Sequence, residues 1–160
     1  MSAAVQNVAT SGSLVGCELT SEPLVATSRR KERLEVVAIL HCTLATRDVR
    51  RASAFFSATL GWRPIERPGN IRYPAAWLEI APGQELHLVE FPDFAASPWE
   101  REYGRHVAVS YPRDGFAALK ERLLRHGAQL ISPDRPTTME RFFFRDPHGY
   151  VFEVVGVERT

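Results

Sequence analysis

Four side chains of metal-binding type occupy matching places in two halves of this chain. His41 and His106 lie 65 positions apart, and His87 and Glu153 lie 66 positions apart. Imidazole nitrogens suit Zn, Ni, Co or Fe, a carboxylate oxygen also suits Mn, and a nitrogen-rich set disfavours Mg and Ca. We therefore predict that these four residues form one site for a divalent metal.

The same interval separates residues that shape the backbone, which indicates that one structural unit is written twice. A repeat of this kind predicts the architecture before any single motif is considered. At a spacing of 66 positions, the matching pairs are Asp48 with Asp114, Gly61 with Gly127, Gly83 with Gly149, and Trp77 with Phe143.

The first unit is predicted to fold as a strand, a helix and three further strands. Residues 36–44 alternate in the manner of a strand, and Asp48 and Gly61 are suited to the two ends of a helix. The apolar stripe of that helix consists of Val49, Ala52, Phe56 and Leu60. The three strands that follow are predicted at about 62–67, 72–80 and 84–91.

The second unit repeats this order. Residues 105–111 are predicted to form a strand, and Asp114 and Gly127 to bound a helix. The residues of this helix that face inward are Phe116, Leu119 and Leu123. The later strands are predicted near 128–131, 140–145 and 150–157, with a tight turn at 146–149.

These elements predict an α+β fold built from two tandem βαβββ units. We place the units at 36–91 and 105–157 within a single domain, 36–160, with an aromatic linker at 92–104 and a flexible arm at 1–35. Helices on the outer face would leave a curved mixed sheet free to surround a cleft. The linker could form a cleft wall, a dimer contact or a cover for the core.

Strand alternation places the four candidate ligands on one kind of surface. In each strand, the histidine or glutamate lies on the face away from the apolar residues that pack against the helix. A glutamate such as Glu153 is costly to bury in an apolar strand unless it has a partner. The aromatic residues on flanking strands could line the cleft or simply pack the sheet, and they are Tyr73, Trp77, Phe142 and Phe144.

Composition narrows the class of protein. The formal net charge is +1, so nothing in the balance of charges points to nucleic acid or to an anionic membrane as a partner.

The two cysteines, Cys17 and Cys42, suggest no disulfide framework, and we expect a cytoplasmic protein. Cys42 is interpreted as a small buried hydrophobe. His126, at a helix end, and His148, in a turn, are expected to have no role in chemistry.

Four segments of the chain form a recognisable set: Ile39-Leu40-His41, 85–90 (ELHLVE), 105–108 (RHVA) and 143–153 (FFRDPHGYVFE). Together they resemble the vicinal oxygen chelate superfamily, over about residues 36–157. This superfamily includes glyoxalase I, fosfomycin-resistance transferases, methylmalonyl-CoA epimerase, extradiol dioxygenases and bleomycin-binding proteins.

The resemblance implies a ligand set. His41, His106 and Glu153 match the three metal ligands that most metal-binding members share. His87 falls where glyoxalase I has a glutamate and the epimerase has a glutamine. Ala45 stands where glyoxalases have an arginine that helps to hold glutathione, which weakens a glutathione-linked substrate.

The resemblance also implies a function, and three alternatives stay open. The first is a metal-dependent glyoxalase, isomerase or lyase, which acts on a small substrate through vicinal oxygens and uses Glu153 as the general base. The second is an Fe(II) extradiol-type dioxygenase that uses His41, His106 and Glu153. The third is a metal-free small-molecule binder that confers antibiotic resistance. We expect a homodimer, with the site formed either within one chain or between two.

Overall fold

In the described part of the chain, eight strands and two α-helices follow one another in the order that the repeat predicts. The computed structural model describes residues 38–159, so the predicted arm at 1–35 and Cys17 lie outside the described residues. The first unit contains β1 (His41–Thr46), α1 (Val49–Leu60), β2 (Arg63–Ile65), β3 (Ala75–Ala81) and β4 (Gln84–Glu90). The second contains β5 (Val107–Pro112), a 3₁₀ turn (Arg113–Gly115), α2 (Phe116–Arg125), β6 (Gln129–Ile131), β7 (Arg141–Arg145) and β8 (Val151–Val157).

The strands form two four-stranded mixed sheets with the same topology. The order is β1-β4-β3-β2 in the first sheet and β5-β8-β7-β6 in the second. The pairs β1–β4 and β5–β8 are parallel, and the other pairs are antiparallel. The tandem βαβββ fold is therefore confirmed. Within residues 38–159 no strand pairing joins the two sheets, and β1 and β5 are each an edge strand.

The two helices begin differently, although an aspartate stands at the matching position before each. Asp48 caps α1 as predicted, because its carboxylate accepts a hydrogen bond from the backbone N–H of Arg51 at 2.9 Å. The prediction that Asp114 caps α2 is wrong. The chain first makes a 3₁₀ turn there, α2 begins without a side-chain cap, and Asp114 instead pairs with exposed Arg159.

The two units share one hydrophobic core. Phe55 and Phe56 of α1 contact aromatic rings of the second sheet: the centroid of Phe55 lies 6.3 Å from that of Phe144, and that of Phe56 lies 5.4 Å from that of Phe152. The predicted inward residues of α2, Phe116, Leu119 and Leu123, are buried in the same cluster. The helix-facing sides of both sheets therefore close one interior, and the candidate ligands lie on the other sides.

Strands β1 and β5 begin later than the sequence pattern suggests. Strand β1 begins at His41, and Leu40, predicted on the core face, is 67% exposed. Its carbonyl accepts from the N–H of Glu85, at the start of β4, where the pairing between these strands begins. Similarly, His106 immediately precedes β5. The backbone N–H of the preceding residue, Arg105, donates a hydrogen bond to the carbonyl of Trp99 in the linker.

Part of the linker at 92–104 packs onto the second unit. The ring of Phe94 stacks on Tyr150 with centroids 5.5 Å apart, and buried Glu100 accepts from the backbone N–H of Val151 at 3.2 Å. Trp99 and Tyr103 are exposed. Within residues 38–159, no helix is long and apolar enough to span a membrane.

Candidate metal centre

In the first unit, three rings form a stack on one face of the sheet. His87 lies on β4, between β1 and β3. Its ring centroid is 4.2 Å from that of His41 on β1 and 4.3 Å from that of Trp77 on β3. The planes of the two histidines are 15° apart. The lone pair of an imidazole nitrogen lies in the plane of its ring, so two stacked histidines could bind one ion only after a ring rotates.

A carboxylate engages His87 directly. The Nε2 atom of His87 lies 2.8 Å from Oε2 of Glu85, two positions earlier on the same strand face. Glu85 is also the register partner of His41, so it lies beside both histidines. Glu85 was not among the site residues predicted from the sequence. The sequence contained a signal for Glu85, because residues two positions apart on a strand share a face and His87 was already a candidate ligand.

In the second unit, the candidate ligands meet in a geometry that suits a metal. His106 Nε2 lies 3.5 Å from Oε2 of Glu153 on β8, and both side chains are largely buried. This separation is long for a hydrogen bond. Two atoms bound to one tetrahedral metal at about 2.1 Å lie about 3.4 Å apart. The Nδ1 atom of His106 is buried and has no hydrogen-bond partner within residues 38–159. The donor types and their spacing therefore fit a divalent ion.

The other oxygen of Glu153 is held by an arginine that sequence analysis missed. Arg141 Nη1 on β7 donates to Oε1 of Glu153 at 2.6 Å, and the Arg141 side chain is only 3% exposed. This hydrogen bond raises the pKa of Arg141, against the opposing effect of burial, so the guanidinium is charged. An arginine next to the apolar run 142–144 was a signal for this contact, because a buried cation requires an acidic partner.

The two pairs do not merge into one cluster. Among the described residues, no three His, Cys, Asp or Glu side chains are placed to hold a metal together. His41, Glu85 and His106 do line one cavity of about 400 Å³, between the edge strands β1 and β5. The four-residue site therefore stays a prediction, and the structure brings its members together as two pairs.

The aromatic residues proposed for the cleft are divided between two environments. Trp77 lies on His87, and Tyr73 is exposed beside Phe91. Phe142 and Phe144 are buried in the core, on the helix side of β7, so the structure does not make them part of a cleft wall. Strand parity explains this correction, because Phe143 is the register partner of Glu153.

The remaining histidines and Cys42 occupy structural positions. Nδ1 of His148 lies 2.9 Å from the hydroxyl of Thr46, which joins the two units, and burial lowers the pKa of His148. His126 is the C-terminal cap of α2. Burial raises the pKa of the Cys42 thiol, so this cysteine is a poor nucleophile near neutral pH.

Comparisons with known proteins agree with the fold. Glyoxylase I 4 of Arabidopsis thaliana is 22% identical over 129 residues, which are 78% of this chain and 74% of that protein. A putative glyoxalase family protein from Bacillus anthracis superposes with a TM-score of 0.63 at 23% identity, covering 79% of this chain and 99% of the other.

A second solved structure is a single-residue mutant of the fosfomycin resistance protein FosX from Listeria monocytogenes, complexed with Mn(II) and 1S,2S-dihydroxypropylphosphonic acid. It superposes with a TM-score of 0.60 at 23% identity, covering 77% of this chain and 93% of that one. The family model for the Glyoxalase/Bleomycin resistance protein/Dioxygenase superfamily matches residues 38–154. This chain therefore belongs to the Glyoxalase/Bleomycin resistance protein/Dioxygenase superfamily.

Proposed function

We propose that this protein is a divalent-metal-dependent enzyme of the glyoxalase, isomerase or lyase type, acting on a small substrate with two vicinal oxygens. The observation that carries the proposal is the pair formed by His106 and Glu153, whose facing atoms have the separation expected of two ligands of one ion. The substrate class is supported by FosX of L. monocytogenes, which is complexed with Mn(II) and a dihydroxy acid.

The residues of this chain have distinct parts in the proposed reaction. His106, Glu153 and His41 would hold the metal, with His87 as a fourth ligand if its ring turns. The bound metal would supply Lewis-acid stabilisation of negative charge that develops on a substrate oxygen. Zn, Ni, Co, Mn and Fe all suit this donor set.

Two carboxylates are candidates for the proton acceptor. Glu153 is the residue selected from the sequence, but it would have to release the hydrogen bond from Arg141 in order to move. Glu85 is less constrained, because its side chain is 38% exposed and its contact is the imidazole of His87. A paired carboxylate and imidazole beside the cavity is an arrangement suited to general-base catalysis.

We propose that the working form is a homodimer in which each complete site takes ligands from two chains. Two features support this. Among the described residues, the two pairs do not join into a cluster of three metal-binding side chains. The strands β1 and β5, which carry or adjoin His41 and His106, are each an edge strand, a position from which another chain can pair. A site within one chain is the alternative.

Complementation tests the dimer directly. Full-length His41→Ala and His106→Ala chains are mixed, unfolded and refolded together. If each site is shared, half of the dimers are mixed and one of their two sites is intact, so about a quarter of the metal sites return. Sites confined to one chain would give no recovery, and a protein that sediments as a monomer would refute the dimer.

One observation favours a second candidate, the Fe(II) dioxygenase. Because Glu85 engages His87, three ligands remain, and two histidines with one carboxylate suit Fe(II) with open positions. The metal-free binding protein stays the third candidate. A metal-free binding protein would not require the 3.5 Å separation between Nε2 of His106 and Oε2 of Glu153. A cytoplasmic location, and no nucleic-acid or membrane partner, remain part of the proposal.

The test begins with full-length protein that has been stripped of metal. Zn, Ni, Co, Mn and Fe(II) are titrated singly, and each loaded form is assayed on hemithioacetals, epoxides and catechols. We expect tight binding that is lost in His106→Ala and retained in the control His126→Ala. Isomerase or lyase turnover would support the leading proposal, and oxygen uptake with Fe(II) and a catechol would support the dioxygenase. No binding of any metal would leave only the binding protein.

A further inference from the structure

A buried guanidinium lies between two carboxylates beside the candidate metal centre. Arg141 donates through Nη1 to Oε1 of Glu153, and through Nη2 to Oε1 of Glu102 and to the carbonyl of Arg135. The side chains of Arg141, Glu102 and Glu153 are 3%, 7% and 12% exposed. Charged groups this deeply buried are tolerated only when they are paired and hydrogen-bonded.

This arrangement divides the two oxygens of Glu153 between different partners. Oε1 accepts from Arg141, while Oε2 faces Nε2 of His106 at 3.5 Å. A free carboxylate can bind a metal through one oxygen or through both. With Oε1 accepting from the guanidinium, Oε2 is the oxygen that faces an ion beside His106.

Glu102 connects this arrangement to the linker at 92–104. Besides holding Arg141, its Oε2 accepts from the backbone N–H groups of Asp134 and Arg135, at 2.5 and 3.4 Å. The carboxylate therefore joins the linker, the loop before β7 and the guanidinium. Any change in the placement of the linker would be transmitted to Arg141 and so to Glu153.

The first unit has no counterpart of this guanidinium. The position 66 residues before Arg141 is Ala75 on β3, and the ligand candidate of that unit, His87, contacts Glu85 instead. Duplication of a common unit does not explain Arg141. The residue serves the half that carries the carboxylate ligand.

We propose that Arg141 is a positioning residue that holds Glu153 as a one-oxygen metal ligand, and that Glu102 of the linker fixes Arg141 for this task. The inference rests on the proposed function, because it requires a metal beside His106. Partners that orient a ligand commonly change metal affinity by about 10- to 100-fold when they are removed.

The test measures binding of Co(II) to the full-length apoprotein, by titration and by the visible absorption of the bound ion. For Arg141→Met we expect about 10- to 100-fold weaker binding, and a weaker absorption band as Glu153 binds through both oxygens. Arg141→Lys, which restores one N–H donor, should recover part of the affinity. Glu102→Gln should weaken binding by several-fold, since one contact of Arg141 is altered.

Arg159→Met is the matched control, because Arg159 forms an exposed pair with Asp114 away from the site. It should leave affinity and spectrum unchanged. If Arg141→Met does not fold, Arg141→Lys and Glu102→Gln decide the question. Folded Arg141 and Glu102 variants with wild-type affinity and spectrum would overturn the inference alone. Wild-type protein that binds no divalent metal would overturn the proposed function as well.

Discussion

The two halves of this molecule share a topology but differ at the same place in their sheets. In the first half, the central residue is His87, stacked between two rings and bonded to Glu85. In the second, it is Glu153, held by a buried arginine and facing His106. The duplicated unit places a candidate ligand at the same point of each sheet. The side chains that contact this ligand differ between the halves, and they determine what it can do chemically. The second half contains the proposed ligand pair, and the first combines a histidine with a candidate proton acceptor.

The strongest test of this comparison replaces the two central residues in turn. Glu153→Gln should weaken metal binding by about 1,000-fold or more, because it removes an anionic ligand. His87→Gln should weaken it by less than about 10-fold, because His87 is engaged by Glu85. Isothermal titration of the apoprotein measures both. Equal losses would make His87 a full ligand and remove the functional difference between the halves.

A second test separates ligand from proton acceptor. Glu85→Gln should keep metal affinity within about threefold while kcat falls about 100- to 1,000-fold, as expected on losing a general base. Glu79→Gln is the control, since Glu79 is on the neighbouring strand and pairs with exposed Arg63. A large loss of metal affinity in Glu85→Gln would instead identify Glu85 as a ligand.

A third test uses the turns that precede β4 and β8. The first contains no acid, whereas the second buries Asp146, and desolvation raises its pKa to about 6 from 3.8. Because the folded value is raised, the stability from protonating Asp146 is complete below about pH 3.8 and is lost as the pH rises through 6. The shift corresponds to about 2 to 3 kcal/mol.

Urea unfolding between pH 4 and 7.5 measures this effect. Asp146→Asn should show a smaller loss of stability across the window than the wild type. The control Asp93→Asn, in an exposed part of the linker, should follow the wild-type profile. Identical profiles for wild type and Asp146→Asn would show that Asp146 is not titrating in this window.

The smallest expected difference concerns the helix starts. Asp48→Ala should cost about 1 kcal/mol of unfolding free energy, because Asp48 caps α1. Asp114→Ala should cost less, because Asp114 does not cap α2 and its partner Arg159 is exposed. Thermal denaturation compares the two variants. An equal loss in both would indicate that the helices begin alike in solution.

Much of the fold was accessible from the sequence. The first strand and the helix of each unit were placed to within five residues, because the alternation of apolar and polar side chains is a local property of the sequence. The start of α2 was missed. Asp114 has the right type at the right spacing, but the backbone turns into a 3₁₀ segment whose geometry depends on contacts with the rest of the second unit.

The candidate site was accessible only in outline. The alternation of strand side chains placed His87 and Glu153 on the same kind of surface. The same alternation in β7 would have selected Phe143 as the residue beside Glu153, and would have assigned Phe142 and Phe144 to the core. The partners of the ligands were not accessible. Arg141 is 12 positions from Glu153 and 39 from Glu102, and no local pattern relates such distances.

The sequence by itself determined the duplicated unit, the apolar face of each element and the residue types offered to a metal, because these follow from short-range periodicity and from the repeat. The tertiary structure alone decided which partner each candidate ligand meets: Glu85 for His87, and Arg141 with linker residue Glu102 for Glu153. Those contacts join strands and loops that are distant along the chain. They exist only after the sheets have folded around their common core.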